Sequence, residues 1–188
     1  RQTVSYAESH DEERTAYKQQ RWGAAGVKDS EEQQIRRLGS LAAFMIFSPG
    51  AHMIWQFEEL GDAQPVKSAS GDNDTSPRKS CWEMLDNPLR ASLRDTYATL
   101  LKWRKDNPQY FTEETKVDIS AKPSAWTTGY TLMLTAPDGG KVVLLANPLP
   151  DRELKVKSPA GTDCGAVVAA SAGVSTPAPD ASGSVVLS

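Results

Sequence analysis

Two short apolar segments of this sequence each run into a cluster of carboxylates, and a helical pattern lies between them. Residues 3–7 lead into "ESHDEER", and the segment "HMIWQFEELG" at residues 52–61 reaches Glu58 and Glu59. Alternation of strand and helix is typical of a parallel sheet covered by helices. In such sheets, functional side chains collect where the strands end. The sequence therefore predicts an α/β first half with a carboxylate-containing site at one edge of the sheet.

Both predicted helices carry clear start and stop signals. Ser30, with Gln33 three residues later, forms a capping box, and the helix that it begins should end at Ser48-Pro49-Gly50. Asn87 is an N-cap followed by Pro88 at the first helical position, and Pro108 stops that helix. The first apolar stripe consists of Ile35, Leu38, Leu41, Ala42 and Met45. The second consists of Leu89, Leu93, Tyr97, Leu100 and Leu101.

Beyond about residue 112 the pattern changes from α/β to all-β. Residues 126–134 and 141–147 flank the turn Pro137-Asp138-Gly139-Gly140 and predict a hairpin. Shorter strands are predicted at residues 154–157, 167–169 and 185–187, which together indicate an antiparallel β-sandwich. The Ala-, Ser-, Gly- and Pro-rich residues 165–184 form either loops of that sandwich or a linker. Two domains are thus predicted, 1–111 and 112–188.

Composition excludes two classes of partner. The net charge is −3 and the Lys and Arg residues are scattered, so nucleic acid is not an expected partner. The longest apolar run, residues 38–47, is too short to span a membrane. Cys81 and Cys164 lie far apart and outside any metal-binding or redox spacing, so whether they are free stays open. The cellular location stays open too, with an extracytoplasmic one slightly favoured.

Three stretches in order, "VSYAESHDEER", "SPGAHMIWQFEELGD" and "NPLRASLRDTYATLLKWRKDNP", resemble the last quarter of the α-amylase family of glycoside hydrolases. The resemblance covers roughly residues 3–110. The sequence variants within these stretches are most similar to those of amylase-like proteins of the Bacteroidetes group. It implies that residues 1–111 are the seventh and eighth strands of a (β/α)8 TIM barrel with their helices. Residues 112–188 would then be the β-sandwich called domain C.

The resemblance also implies roles for individual residues. Asp11 matches the stabiliser of the transition state, and His10 matches the imidazole that binds sugar hydroxyls in the −1 subsite. Glu59 matches the Glu after the eighth strand. Trp55, which ends that strand, is a candidate to line the sugar cleft, and packing in the core or at the rim is the alternative. The expected substrate is an α-1,4-linked glucan, cleaved with retention. A fixed carboxylate that holds ring hydroxyls contributes most as the ring distorts towards an oxocarbenium-like state.

The sequence departs from the family pattern at several positions. Glu8 stands where the family usually has Asn, Phe57 stands where it has Gly, and Pro49-Gly50 reverses the usual order. Glu8 and Phe57 either reshape the subsite or pack in the interior. Glu12, Glu13 and Arg14 are interpreted as a local charge network rather than as substrate contacts.

A retaining glycosidase needs a nucleophile and an acid/base about 5–5.5 Å apart, and nothing in residues 1–188 matches either motif. The chain is therefore expected to be a C-terminal piece of a longer enzyme, inactive alone and able to self-associate through exposed barrel faces. Asp72 and Asp74 alternate as calcium ligands do, but no complete ligand set follows. No cofactor is expected in this chain, and any calcium of the parent enzyme is expected elsewhere.

Three alternatives stay open. A branching or transglycosylating enzyme of the same family would share all these residues. The sandwich, with Trp126 and Tyr130 on one face, could instead serve as a non-catalytic glucan-binding or scaffolding module. A metal-dependent phosphohydrolase built around His10 and Asp11 is disfavoured, because the only other histidine, His52, begins a strand.

Overall fold

The computed structural model describes residues 3–120, 128–161, 165–170 and 178–187, which mix helices with small β-sheets. The chain divides into two compact units. The first unit contains residues 3–45 and 50–98, and the second contains residues 46–49 and the described residues from 99 onwards. The domain boundary near residue 111 stays a prediction.

Parallel pairing of two strands in the first unit confirms the α/β pattern. Strand β1 (Val4–Ser5) pairs with β2 (Ala51–His52), with Val4 opposite Ala51 and Ser5 opposite His52. Both strands are shorter than predicted, and shortly after β1 the chain buries Glu8. Val4 and Tyr6 are exposed, and the self-association expected from such surfaces stays a prediction.

Two helices between these strands were not predicted. Helices α1 (Thr15–Trp22) and α2 (Ala25–Lys28) each bury one residue, Ala16 and Val27 respectively. A single buried position gives no apolar stripe, so the helical period is weak in this segment. The start of α1 is also fixed from a distance, because the Glu8 carboxylate accepts the Thr15 N–H at 2.7 Å.

Helix α3 (Glu31–Phe47) begins directly after the predicted N-cap, Ser30, whose Oγ accepts the Gln33 N–H at 3.3 Å. The stripe is buried at Ile35, Leu38, Ala42 and Met45. Leu41 is exposed, and its assignment to the core was wrong, because it lies at the solvent edge of the stripe.

Helix α4 (Pro88–Asp106) also starts and stops as predicted, and the Leu89 N–H donates to Asn87 Oδ1 at 2.9 Å. Leu93, Tyr97 and Leu100 are buried, whereas Leu101 is exposed and was wrongly assigned to the same face. Leu100 and Leu101 point about 100° apart on the helix, and Leu101 falls outside the buried face. None of the described helices combines the length and apolar character needed to cross a membrane.

A long connection joins β2 to α4. It holds short 3-10 helices at Glu58–Leu60 and Trp82–Asp86. A small apolar cluster anchors it, formed by Phe57, Leu60, Cys81, Met84 and Leu85. Cys81 is a buried free cysteine, and Cys164 lies outside the described residues.

Small antiparallel sheets make up the described β-structure of the second unit, after a 3-10 turn at Pro108–Tyr110. The predicted hairpin is confirmed as β4 (Tyr130–Thr135) and β5 (Lys141–Ala146). Strand β3 (Lys116–Ser120) pairs with β4 and was missed, although Val117 and Ile119 alternate with polar residues as strand residues do. Trp126, predicted to begin the hairpin, lies outside the described residues.

The two other short strands that the structure contains were predicted. Strand β6 (Leu154–Lys157) pairs antiparallel with β7 (Ser184–Leu187). The strand predicted at residues 167–169 was wrong, since residues 165–170 are irregular and exposed. That stretch is rich in Ala and Gly, which have low strand propensity.

Candidate functional site

The His10–Asp11 pair lies on the surface where the chain leaves β1. Its side chains are 70% and 64% exposed, and His10 Nε2 lies 3.4 Å from Asp11 Oδ1. Ser9 is buried beneath the pair; its hydroxyl accepts the Asp11 N–H at 3.2 Å and donates to Glu12. The pair therefore presents an imidazole and a carboxylate to solvent from a fixed backbone.

Trp55 joins this pair from the segment that follows β2. Its ring centroid lies 5.8 Å from that of His10, with the planes inclined at 45°. Parallel pairing of β1 with β2 brings the segments together, as expected for neighbouring strand ends. Of the four predicted site residues, His10, Asp11 and Trp55 are thus joined by contacts. Glu59 lies half-buried on the 3-10 helix after Trp55, and those contacts do not include it.

A buried arginine lies beneath the site and connects its two segments. Arg14 is 2% exposed and donates to Glu8 Oε1 at 2.7 Å and to the Gln56 carbonyl at 2.7 Å. Its second guanidinium nitrogen lies 3.0 Å from Asp62 Oδ2, which is also buried. The segment after β1 and the segment after β2 are therefore held by one side chain.

The interpretation of Glu12, Glu13 and Arg14 as a local network was only partly right. They bind other residues rather than one another: Glu12 binds Ser9, Arg14 binds Glu8 and Asp62, and Glu13 accepts backbone N–H groups of a distant loop. Sequence reasoning missed the link from Arg14 to Asp62, since 48 positions separate them and no periodic pattern relates them.

The structure accounts for both side chains that depart from the family pattern. Glu8 packs in the interior, where Arg14 and the Thr15 N–H bind its carboxylate. Phe57 has φ +61°, in the left-handed region that favours glycine and costs other residues about 1–2 kcal/mol. Burial of its ring and an edge contact with Trp82, 5.0 Å between centroids, offset that cost.

Glu58 holds the turn that carries Trp55. Glu58 is 3% exposed, and its carboxyl group accepts the Trp55 N–H at 3.0 Å and the Tyr97 hydroxyl at 2.8 Å. Burial raises the pKa of Glu58 to about 7, and the nearby Glu8 charge adds to the effect. Burial and the Glu58 charge likewise raise the pKa of Tyr97, which stays a hydrogen-bond donor.

Replacing Glu58 with glutamine should change how stability depends on pH. Because the folded state holds a proton that the unfolded state releases between about pH 4.5 and 7, wild-type stability falls as the pH rises through this window. The stability of the wild type relative to Glu58→Gln should fall by about 2–3 kcal/mol from pH 5 to pH 8, at about 1.4 kcal/mol per pKa unit.

Urea denaturation at several pH values measures this effect. The exposed Glu83 provides the control, because its pKa is lowered rather than raised, and Glu83→Gln should show no such fall. A difference between wild type and Glu58→Gln that does not change with pH would contradict the assignment of a protonated Glu58.

The predicted loop carboxylates form local contacts. Asp72 accepts the Ser70 hydroxyl at 3.0 Å, and Asp74 accepts the Ser76 N–H at 2.9 Å. Within the described ranges, no group of three or more His, Cys, Asp or Glu side chains is placed to hold a metal ion.

Comparison of the chain with models of known protein families found no match, and comparison with curated proteins found none either. The resemblance to glycoside hydrolases accordingly rests on the three quoted stretches alone.

Proposed function

We propose that this chain contributes part of the sugar-binding site of an α-amylase-like glycoside hydrolase that acts on α-1,4-linked glucans. The observation that carries the proposal is the meeting of the His10 ring, the Asp11 carboxylate and the Trp55 ring at neighbouring parallel strand ends. In this proposal β1 and β2 are the last two strands of a (β/α)8 barrel, and residues 112–188 form domain C.

The chemistry of these side chains suits a sugar ring. An exposed carboxylate accepts hydrogen bonds from hydroxyl groups, and a neutral imidazole both donates and accepts. An aromatic ring such as that of Trp55 offers an apolar face to the C–H groups of a pyranose, with a polar edge towards water. Asp11 would bind ring hydroxyls most strongly as the ring distorts in the transition state.

Cleavage with retention would need two further carboxylates, which the resemblance assigns to other strands of the barrel. The chain alone is accordingly proposed to bind glucan without cleaving it. Hydrolysis is proposed over branching or transfer because it is the commoner activity of the family, and the residues of this site are compatible with each.

Isothermal titration of the chain with maltoheptaose tests the binding part of the proposal. Asp11→Ala should weaken binding at least tenfold, because hydrogen bonds to a charged group contribute about 1.5–3 kcal/mol. Asp95 is the matched control, since it is exposed on α4 and paired with Arg94, and Asp95→Ala should bind as the wild type does.

Cellohexaose, a β-1,4-linked glucan, should bind much more weakly than maltoheptaose. Absence of maltoheptaose binding, or equal affinity of Asp11→Ala and wild type, would contradict the proposed site.

A further inference from the structure

A folded loop lies beside Asp11. We call residues 66–74 the Asn73 loop. Its two arms are joined by hydrogen bonds from the Ser68 N–H to the Asp72 carbonyl at 2.8 Å and from the Asp74 N–H to the Val66 carbonyl at 2.9 Å. Lys67 and Asn73 face each other across the arms as a β-bridge. The loop therefore has a defined shape of its own.

Contacts from outside the loop fix its position. Glu13 accepts the Val66 N–H at 2.7 Å and the Lys67 N–H at 3.0 Å, and these residues are more than fifty positions from it in sequence. Arg78 donates to the carbonyls of Pro65, Val66 and Asp74 at 2.9–3.2 Å. Val66 is buried at the base. Glu13 thus links the loop to the segment that carries the His10–Asp11 pair.

The loop presents two polar side chains at the site. Asn73 Nδ2 lies 3.5 Å from Asp11 Oδ1, and Lys67 Nζ lies 2.6 Å from Asn73 Oδ1. Lys67 therefore orients the Asn73 amide, with its oxygen towards the ammonium group and its NH2 group towards Asp11. His10, Asp11, Asn73 and Lys67 form a continuous exposed row in which donors and acceptors alternate.

The two contacts of Asp11 in this row are weak. Distances of 3.4 Å to His10 and 3.5 Å to Asn73 are at the long limit for hydrogen bonds. Because these groups are exposed, breaking their contacts with one another costs little free energy. A ligand hydroxyl that inserts between two of them then has a donor on one side and an acceptor on the other. Adjacent hydroxyls of a pyranose both donate and accept, so they match the alternation of the row.

We propose that Asn73 and Lys67 form a second polar wall of the glucan site, binding sugar hydroxyls next to those held by Asp11, with Glu13 as the positioning residue that seats them. The inference rests on the proposed function and deepens it, since it adds residues that determine how tightly a glucan is held. The motifs that carry the family resemblance do not include either residue.

Titration of the full chain with maltoheptaose tests whether Asn73 and Lys67 bind the sugar. Asn73→Ala and Lys67→Met should each weaken binding about three- to tenfold. Lys79→Met is the matched control, because Lys79 is exposed on the same connection but pairs with Glu83, and its affinity should be unchanged.

Comparison with Asp11→Ala separates the two proposals. Weakened binding in Asp11→Ala but wild-type affinity in both Asn73→Ala and Lys67→Met would overturn the inference about the loop and leave the proposed function standing. Absence of maltoheptaose binding to the wild-type chain would overturn both.

The positioning role of Glu13 needs its own measurement. Glu13→Gln removes one of two carboxylate acceptors, so hydrogen exchange at the Val66 and Lys67 amides should become faster and maltoheptaose affinity should fall with it. Glu32→Gln, which changes a surface carboxylate paired with Arg36, should alter neither. Faster hydrogen exchange with unchanged maltoheptaose affinity would overturn the positioning role. It would show that the contacts of Glu13 stabilise the loop without affecting sugar binding.

Discussion

Replacing Arg14 with methionine is expected to lower the free energy of unfolding by about 3–5 kcal/mol, the usual cost of removing one partner from a buried ion pair. The substitution keeps the length and much of the apolar stem of the side chain. It removes a cation that contacts both Glu8 and Asp62, which are buried with it, and it also leaves the Gln56 carbonyl without this donor. Both buried carboxylates would then lose this ion-pair partner and keep only their neutral donors, the Thr15 N–H on Glu8 and the Gln64 N–H and amide on Asp62.

The size of the effect follows from burial rather than from the number of ion pairs. Arg94 pairs with Asp95 on α4 at 3.0 Å, but both side chains are at least half exposed. Exposed pairs contribute about 0–1 kcal/mol, so Arg94→Met should change stability by less than 1 kcal/mol. Urea denaturation followed by circular dichroism compares the two variants. Equal, small effects would contradict the role of Arg14 as the link between the two segments of the site.

Features governed by neighbours in sequence could be predicted. The caps at Ser30 and Asn87 and the stop before Pro108 depend on residues within a few positions, and α3 and α4 have the predicted bounds within about one residue. Parallel pairing of β1 and β2 followed from the alternation of strand and helix. The hairpin of β4 and β5 followed from its turn residues.

Features governed by distant pairs could not be predicted in the same way. Arg14 was recognised as part of a charge network, but its link to Asp62 depends on the fold. The contacts of Glu13 with Val66 and Lys67 likewise join segments that no local pattern relates. One signal was present in the sequence: Phe57, where the resembling family has glycine, indicates a backbone position with positive φ, which the structure contains.

In the candidate site, too, some residues could be predicted from the sequence and others are brought together only by the fold. His10 and Asp11 follow a predicted strand and were chosen mainly on the family resemblance, and the structure places them on the surface where the chain leaves β1. The neighbouring Asn73 and Lys67 lie in a polar loop whose composition gave no reason to single them out. Glu58 was noted together with Glu59, but only the fold distinguishes the buried carboxyl with a raised pKa from its half-buried neighbour.

The second large effect is expected on catalysis. Asp11→Asn keeps the shape of the side chain but removes its charge and one acceptor oxygen. Charge that stabilises a developing cation contributes more in the transition state than in the bound substrate, so the rate should fall more than the affinity does. Losing one such electrostatic contact typically lowers kcat about 100- to 1,000-fold. Asp95→Asn, on the exposed face of α4, should leave the rate unchanged.

We propose that Asp11 acts on a glucan as part of a longer glycoside hydrolase that contains this chain. Reducing-sugar release from soluble starch by that proposed enzyme tests this role most directly. We predict release by the wild type and by Asp95→Asn, and a loss of at least 100-fold in Asp11→Asn. Full activity of Asp11→Asn would contradict the role of Asp11, and an inactive wild type would contradict the assignment to glucan hydrolysis.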